Sequence, residues 1–135
     1  MIYLDTNVII DIIDDTSERQ RVCVERLEEA LAEGPVYISD CVYAETAVGM
    51  ESREMLDAAL EALRVSRLSP NEDALFTAGK AFKRYKEQNG GTKNNVLPDF
   101  FIGAQAFTEG CALITSDVKR MTGYFEGLEV INTNV

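Results

Sequence analysis

Four carboxylates, Asp5, Glu45, Asp99 and Asp117, are the residues of this chain best suited to do chemistry. Each falls where a strand should end, where a helix should begin, or on a helix face that can turn toward the others. The chain contains no histidine. Without imidazole, nucleophile chemistry of the Ser-His or Cys-His type lacks its usual base. Converging carboxylates instead suit a hard divalent cation such as Mg²⁺ or Mn²⁺, which prefers oxygen ligands. The chemistry this indicates is metal-assisted phosphoryl transfer.

Asp5 directly follows the apolar run Ile2-Tyr3-Leu4. It therefore lies at the carboxyl end of an expected strand, where open α/β folds place ligands. Helix capping is its competing role. Asn7 either hydrogen-bonds Asp5 or a bound water, or is itself a cap. Asp117 ends the run Leu113-Ile114-Thr115-Ser116-Asp117, again just past a strand. The hydroxyls of Thr115 and Ser116 can orient a carboxylate or a water there; a turn acid capping the next helix is the alternative. Asp99 follows Pro98 in a first helical turn, where acids commonly complement the helix dipole. Yet its neighbours are Leu97, Phe100, Phe101 and Ile102. A carboxylate buried among them needs a partner, and a cation is one candidate. Glu45 lies about two turns beyond Ser39 in a largely apolar helix, and faces either solvent or the interior. Two carboxylates about 5 Å apart repel by roughly 3 kcal/mol at an effective dielectric near 20. Four in one pocket therefore need protons or a counter-ion.

The elements that must position these acids alternate short strands with longer helices. Strands are expected at Ile2 to Leu4, Val36 to Ile38, Ala112 to Thr115 and Leu128 to Ile131. Thr6 or Asn7 should cap a helix from Val8 to about Asp14. Ser17-Glu18-Arg19-Gln20 matches a capping box, and the helix after it places Val22, Cys23, Leu27, Ala30 and Leu31 on one face. Ser39 should cap a helix from Asp40 to about Val48. Met55, Leu56, Ala59, Leu60 and Leu63 mark another amphipathic helix. Ser69-Pro70-Asn71-Glu72 reads as a second capping box, and its helix should bury Ala74, Leu75, Ala78, Phe82 and Tyr85. Asn89-Gly90-Gly91-Thr92 should end that helix in a flexible loop. Leu97-Pro98-Asp99 opens a helix to Glu109, with Gly110 as its C-terminal cap. Lys119 to Tyr124 reads as a short helical turn. This alternation predicts an α/β fold, a parallel sheet sandwiched by helices.

With 135 residues, 46% of them hydrophobic, the chain fits a single domain over residues 1–135. No apolar run approaches the roughly 18 residues of a membrane span, and the opening Met1-Ile2-Tyr3-Leu4-Asp5 has no basic region of a signal peptide. Cys23, Cys41 and Cys111 are isolated and odd in number, which favours buried thiols in a reducing, cytoplasmic setting. A net charge of −10 excludes a general nucleic-acid-coating protein. One local basic cluster, Lys80, Lys83, Arg84, Lys86 and Lys93, is either a solvated helix face or a guide for RNA.

In this order, these residues resemble the PIN-domain nucleases, specifically the VapC-type ribonuclease toxins. The matching stretches are Ile2-Tyr3-Leu4-Asp5-Thr6-Asn7, Ile38-Ser39 with Glu45, Lys93 through Ala104, Leu113-Ile114-Thr115-Ser116-Asp117, and the closing Leu128-Glu129-Val130-Ile131. The resemblance implies a three-layer sandwich with a short parallel central sheet. It implies Asp5 and Asp99 as core ligands of Mg²⁺ or Mn²⁺, with Glu45 and Asp117 completing the pocket and Asn7, Thr115 and Ser116 in support. It further implies hydrolysis of RNA phosphodiesters by metal-activated water, leaving a 5′-phosphate and a 3′-hydroxyl. A cognate antitoxin and a homodimer belong to the same expectation. A PIN nuclease in housekeeping RNA processing, a non-cleaving PIN-fold binding protein and a receiver-like regulator are the competing readings.

Overall fold

The run Ile2-Tyr3-Leu4 is buried at every position, and so is Ala112-Leu113-Ile114-Thr115. Strands this short and apolar are stable only at the centre of a sheet covered on both faces. In the computed structural model, which describes residues 1–89 and 97–134, they are the central pair. Five parallel strands stand in the order β3-β2-β1-β4-β5: β1 (Ile2–Leu4), β2 (Val36–Ile38), β3 (Val65–Arg67), β4 (Ala112–Thr115) and β5 (Val130–Asn132). Seven helices flank them: α1 (Thr6–Ile13), α2 (Gln20–Glu33), α3 (Asp40–Ala47), α4 (Arg53–Ala62), α5 (Glu72–Gln88), α6 (Leu97–Thr108) and α7 (Val118–Tyr124).

The strand order fixes where a site belongs. From β1 the chain steps outward to β2 and β3; from β4 it steps the other way, to β5. Right-handed crossovers therefore put the two sets of connecting helices on opposite faces. A crevice opens between them beyond the carboxyl ends of β1 and β4, at the topological switch point. The register pairs Leu4 with Ile114, so the next residue on each strand, Asp5 and Thr115, stand side by side at that crevice.

Several expectations at element ends are corrected. The cap of α1 is Asp5, whose side chain accepts from the Thr6 backbone N–H, so the helix begins at Thr6 instead of after Thr6 or Asn7. The capping box at Ser17 does not form: α2 starts at Gln20 after Arg19, which makes no side-chain cap bond. Gln20 instead donates to the Ile12 carbonyl and to Asp15. Asn71, not Ser69, caps α5 by accepting from the Ala74 N–H. Leu75 on that helix is exposed, and Ala81 takes a buried place instead. On α2, Val22 and Leu31 are only partly buried. The last strand begins at Val130 instead of Leu128. Of the loop expected from Asn89 to Thr92, the part beyond Asn89 lies outside the described residues.

One strand, β3, was not expected. It is an edge strand of three residues with Ser66 and Arg67 exposed, so its sequence lacks a run of apolar positions. Hydrogen bonding to β2 in the register Val36 to Val65 makes it a strand.

Buried aromatic rings fix the start of α6. Phe100 is fully buried, with its ring centroid 5.4 Å from Tyr85 and 5.2 Å from Tyr124 in an edge-on contact. Such contacts anchor the first turn of the helix, and Asp99 is carried with it. Farther along, Gly103 lets α6 approach α7 and Phe125 just beyond its end. A Cβ at Gly103 would lie 2.5 Å from Cε2 of Phe125 and 2.8 Å from Sδ of Met121. Gln105 on the same helix is buried, donating to the Tyr3 hydroxyl and the Leu68 carbonyl. Among the described residues no helix is long and apolar enough to cross a membrane.

Candidate active site

Asp5 lies at the end of β1 and is 3% exposed. Its Oδ1 accepts from the Thr6 backbone N–H at 2.7 Å. Its Oδ2 accepts from the Thr115 hydroxyl at 2.7 Å and from Asn7 Nδ2 at 3.1 Å. Asp5 therefore caps α1 through Oδ1, while Oδ2 is held by Thr115 and Asn7 at the strand end. Asn7 reaches across to β4 as well, where its Oδ1 accepts from the Ser116 backbone N–H at 3.1 Å. Ser116 therefore supports the site through its main chain. Thr115 is fully buried, and its Oγ1 also accepts from the Asp117 N–H at 2.9 Å.

Glu45 turns inward from α3. The hydroxyl of Thr6 donates to its Oε1 at 2.6 Å. Thr6 was expected only as a possible cap. Its backbone instead serves Asp5 while its side chain serves Glu45, so one residue ties two carboxylates together. Placement directly after Asp5 is the signal that could have flagged it.

Asp99 and Asp117 share a cation from the chain itself. Nη1 of Arg120 donates to Asp99 Oδ2 at 2.6 Å and to Asp117 Oδ2 at 3.2 Å. Asp117 precedes α7 but makes no side-chain cap bond, so its carboxylate is spent on this contact. Arg120 was missed in the sequence. Its spacing of three from Asp117 on a helix was the available signal, since such pairs face each other.

Neighbouring carboxylates raise both Asp5 and Asp99. Burial pushes the Asp5 carboxyl up to about 6, with the Asp99 and Asp117 charges adding to the rise and the Thr115 and Thr6 hydrogen bonds opposing it. Asp99 is also raised, first by burial; Arg120 pulls it down, while Glu45 and Asp117 push it up. Arg120 supplies one positive charge to four carboxylates, which leaves the ionised set short of positive charge. The donor set is all oxygen, which fits a hard divalent cation. As they stand, no three acids among the described residues are drawn together tightly enough to grip an ion. Arg120 holds two of them, so a metal would have to take over the contacts it now makes.

The expected RNA-guiding residues are placed on α5, apart from Lys93, which lies outside the described residues. Lys80 sits over the exposed Phe76 ring, and Lys83 pairs with Glu87 at 4.0 Å. Lys86 lies over Phe82. Arg84 Nη2 donates to the Tyr124 carbonyl at 2.9 Å, tying α5 to the end of α7.

A family model described as PIN domain matches residues 2–121. No curated protein matches the chain. Among solved structures, VapBC-1 from nontypeable Haemophilus influenzae is similar at 30% identity, covering 98% of each chain with a TM-score of 0.71. VapBC2 from Rickettsia felis, bound to a DNA fragment from its promoter, shares 24% identity over 98% of each chain, TM-score 0.72. A toxin-antitoxin complex from Klebsiella pneumoniae shares 24% identity over 99% of this chain and 98% of that one, TM-score 0.65. The last two are likenesses of fold.

Proposed function

The chain belongs to the PIN-domain family, and from that premise we propose that it is a Mg²⁺- or Mn²⁺-dependent endoribonuclease, the toxin of a toxin-antitoxin pair. The observation that supports this reading is the nearness of the four acids beyond β1 and β4: Thr6 bonds both Asp5 and Glu45, Asp99 and Asp117 add to the rise of Asp5, and Glu45 and Asp117 to that of Asp99. Asp5, Glu45, Asp99 and Asp117 would hold the cation. Bound there, it would supply a water of lowered pKa and positive charge for the phosphate oxygens.

The chain's own groups divide the remaining work. Thr115 and Asn7 fix the orientation of Asp5 through Oδ2. Thr6 holds Glu45 toward the pocket. Arg120, with two carboxylates sharing Nη1, is positioned to neutralise charge beside the reacting phosphate. No imidazole is required, in keeping with its absence from the sequence.

The similarity to the Haemophilus VapBC-1 chain supports the toxin assignment and an antitoxin partner. An acidic pocket is suited to receive a cationic side chain from that partner. A second copy of the chain is the further partner in this reading. Exposed apolar side chains stand on α1 and around α3 and α4, among them Ile10, Val48 and Met55.

The test is cleavage of mixed transfer and ribosomal RNA by the partner-free protein in Mg²⁺, in Mn²⁺ and in EDTA, beside Asp99→Asn. Discrete fragments are expected with metal, and none with EDTA or from the variant. Removing one charged metal ligand should lower the rate by at least about a hundredfold. Equal cleavage by Asp99→Asn would take Asp99 out of the site. No cleavage by wild type with metal bound would overturn the nuclease reading.

A further inference from the structure

An open groove of about 650 Å³ runs beside the acid pocket, between the last turns of α5 and helix α7. It shares Asp117 and Arg120 with the pocket. Its walls also carry Tyr85 and Gln88 from α5, and Lys119, Gly123 and Tyr124 from α7.

The groove differs in character from the molecule around it. The protein carries a net charge of −10, so a polyanion is repelled at long range and must land where cations stand. Two cations, Lys119 and Arg120, stand on the α7 wall against the single acid Asp117, and Arg84 on α5 is tied to the end of that helix. The Arg120 guanidinium carbon lies 5.8 Å from the Tyr85 ring centroid. A guanidinium carries five N–H donors, which the two bonds from Nη1 do not exhaust. The partly buried Tyr124 ring and the exposed Gln88 amide, joined by a hydrogen bond of 2.5 Å from the Tyr124 hydroxyl, add a π surface and an amide. Cations beside an aromatic ring are the parts with which proteins hold single-stranded nucleic acid. Arg120 joins the groove to the pocket, because the same side chain bonds Asp99 and Asp117.

We propose that the α5–α7 groove seats the single-stranded RNA segment that flanks the cleaved phosphodiester, with Lys119 and Arg120 on its phosphates and Tyr124 and Gln88 against its bases. This assignment rests on the ribonuclease reading above. It gives the strand a direction of approach, along α7 and into the crevice beyond β1 and β4.

Gly123 allows a test that spares the acids and the fold. It lines the groove, and a Cβ added there meets nothing within 4 Å. It is also a helical position, where a side chain other than glycine favours the helix. Gly123→Glu puts a negative charge in the groove, Gly123→Lys a positive one, and Gly123→Gln the bulk alone. Binding of a short, 5′-labelled, single-stranded oligoribonucleotide is followed by fluorescence anisotropy in EDTA, so that no cleavage intervenes. The glutamate variant should bind about tenfold more weakly than wild type, the lysine variant at least as tightly, and the glutamine variant near wild type. Three variants that bind like wild type, three that weaken equally, or a wild type that does not bind would each overturn the groove assignment. Cleavage by wild type in Mg²⁺ is measured alongside. If cleavage proceeds while the charge series is flat, the groove is wrong and the nuclease reading stands. If wild type never cleaves, the nuclease reading itself fails.

Discussion

Asp5 has three donors around its carboxylate and still resists ionisation, because burial and two neighbouring charges outweigh them. Its folded value of about 6 lies above the 3.8 of an unperturbed aspartate. A group raised in this way contributes stability that is fully present below the unfolded value and is lost as pH rises through the folded one. In metal-free protein this single residue therefore withdraws stability between about pH 4 and pH 6. Ionised Asp5 costs roughly 3 kcal/mol at neutral pH. Asp5→Asn removes the charge but leaves one amide hydrogen poorly matched to the donors around it, so part of the gain is lost. In EDTA the variant should be about 1–2 kcal/mol more stable than wild type at neutral pH. The gap should close near pH 4. Urea unfolding of both proteins across that range measures it, and parallel pH profiles would show that Asp5 ionisation is not what limits metal-free stability. The sequence made Asp5 legible through its place after an apolar strand. It concealed Arg120, because a lysine-arginine pair on a short helix reads as surface until the fold brings Asp99 beside it.

Helix α7 shows how an element with little intrinsic stability is held. It has seven residues, too few to persist alone in water. Met121 on it and Phe125 just past it are buried, and both lie against the bare backbone of Gly103 on α6. Gly103→Ala would push a methyl group to within 2.5 Å of the Phe125 ring and 2.8 Å of the Met121 sulfur. Met121 can shift cheaply, whereas a buried phenyl ring cannot. The variant should lose about 1–3 kcal/mol in denaturant unfolding. On the proposed metal site it should also bind Mn²⁺ more weakly, because α7 follows Asp117 directly. Unchanged stability would mean that Phe125 relocates without cost. At this scale the central strands, α3 with its Ser39 cap, and α6 were legible from apolar runs and cap residues. β3 was not, because an edge strand needs only hydrogen bonds from β2 and no apolar signature of its own. The caps of α1 and α5 were placed wrongly because several capping residues crowd each start, and packing chooses among them.

For the molecule as a whole, the net charge of −10 sets a field that draws small cations toward the acid pocket and holds polyanions off. That field is screened over roughly 8–10 Å at physiological salt. Apparent Mn²⁺ affinity should therefore fall several-fold as KCl is raised from about 0.01 M to about 1 M. Calorimetric titration across that series provides the measurement. A salt-independent affinity would assign binding to the pocket's local contacts alone. The whole-molecule strand order explains why the pocket lies where it does: β1 and β4 are adjacent in space yet separated in sequence, and their connections leave in opposite directions.

By itself the sequence determined the class of fold, the identity of the acids and the lack of an imidazole base. These come from local patterns, namely apolar runs, cap residues and residue type, which do not depend on distant parts of the chain. Tertiary structure alone decided which acids meet and what stands between them. Thr6 bridging Asp5 to Glu45, Thr115 bonding Asp5, and Arg120 joining Asp99 to Asp117 all depend on strand register or helix packing across long separations in the chain. Hydrogen bonds and Coulomb interactions act through space over a few ångströms, and a linear pattern holds no record of which residues the sheet order will bring that close.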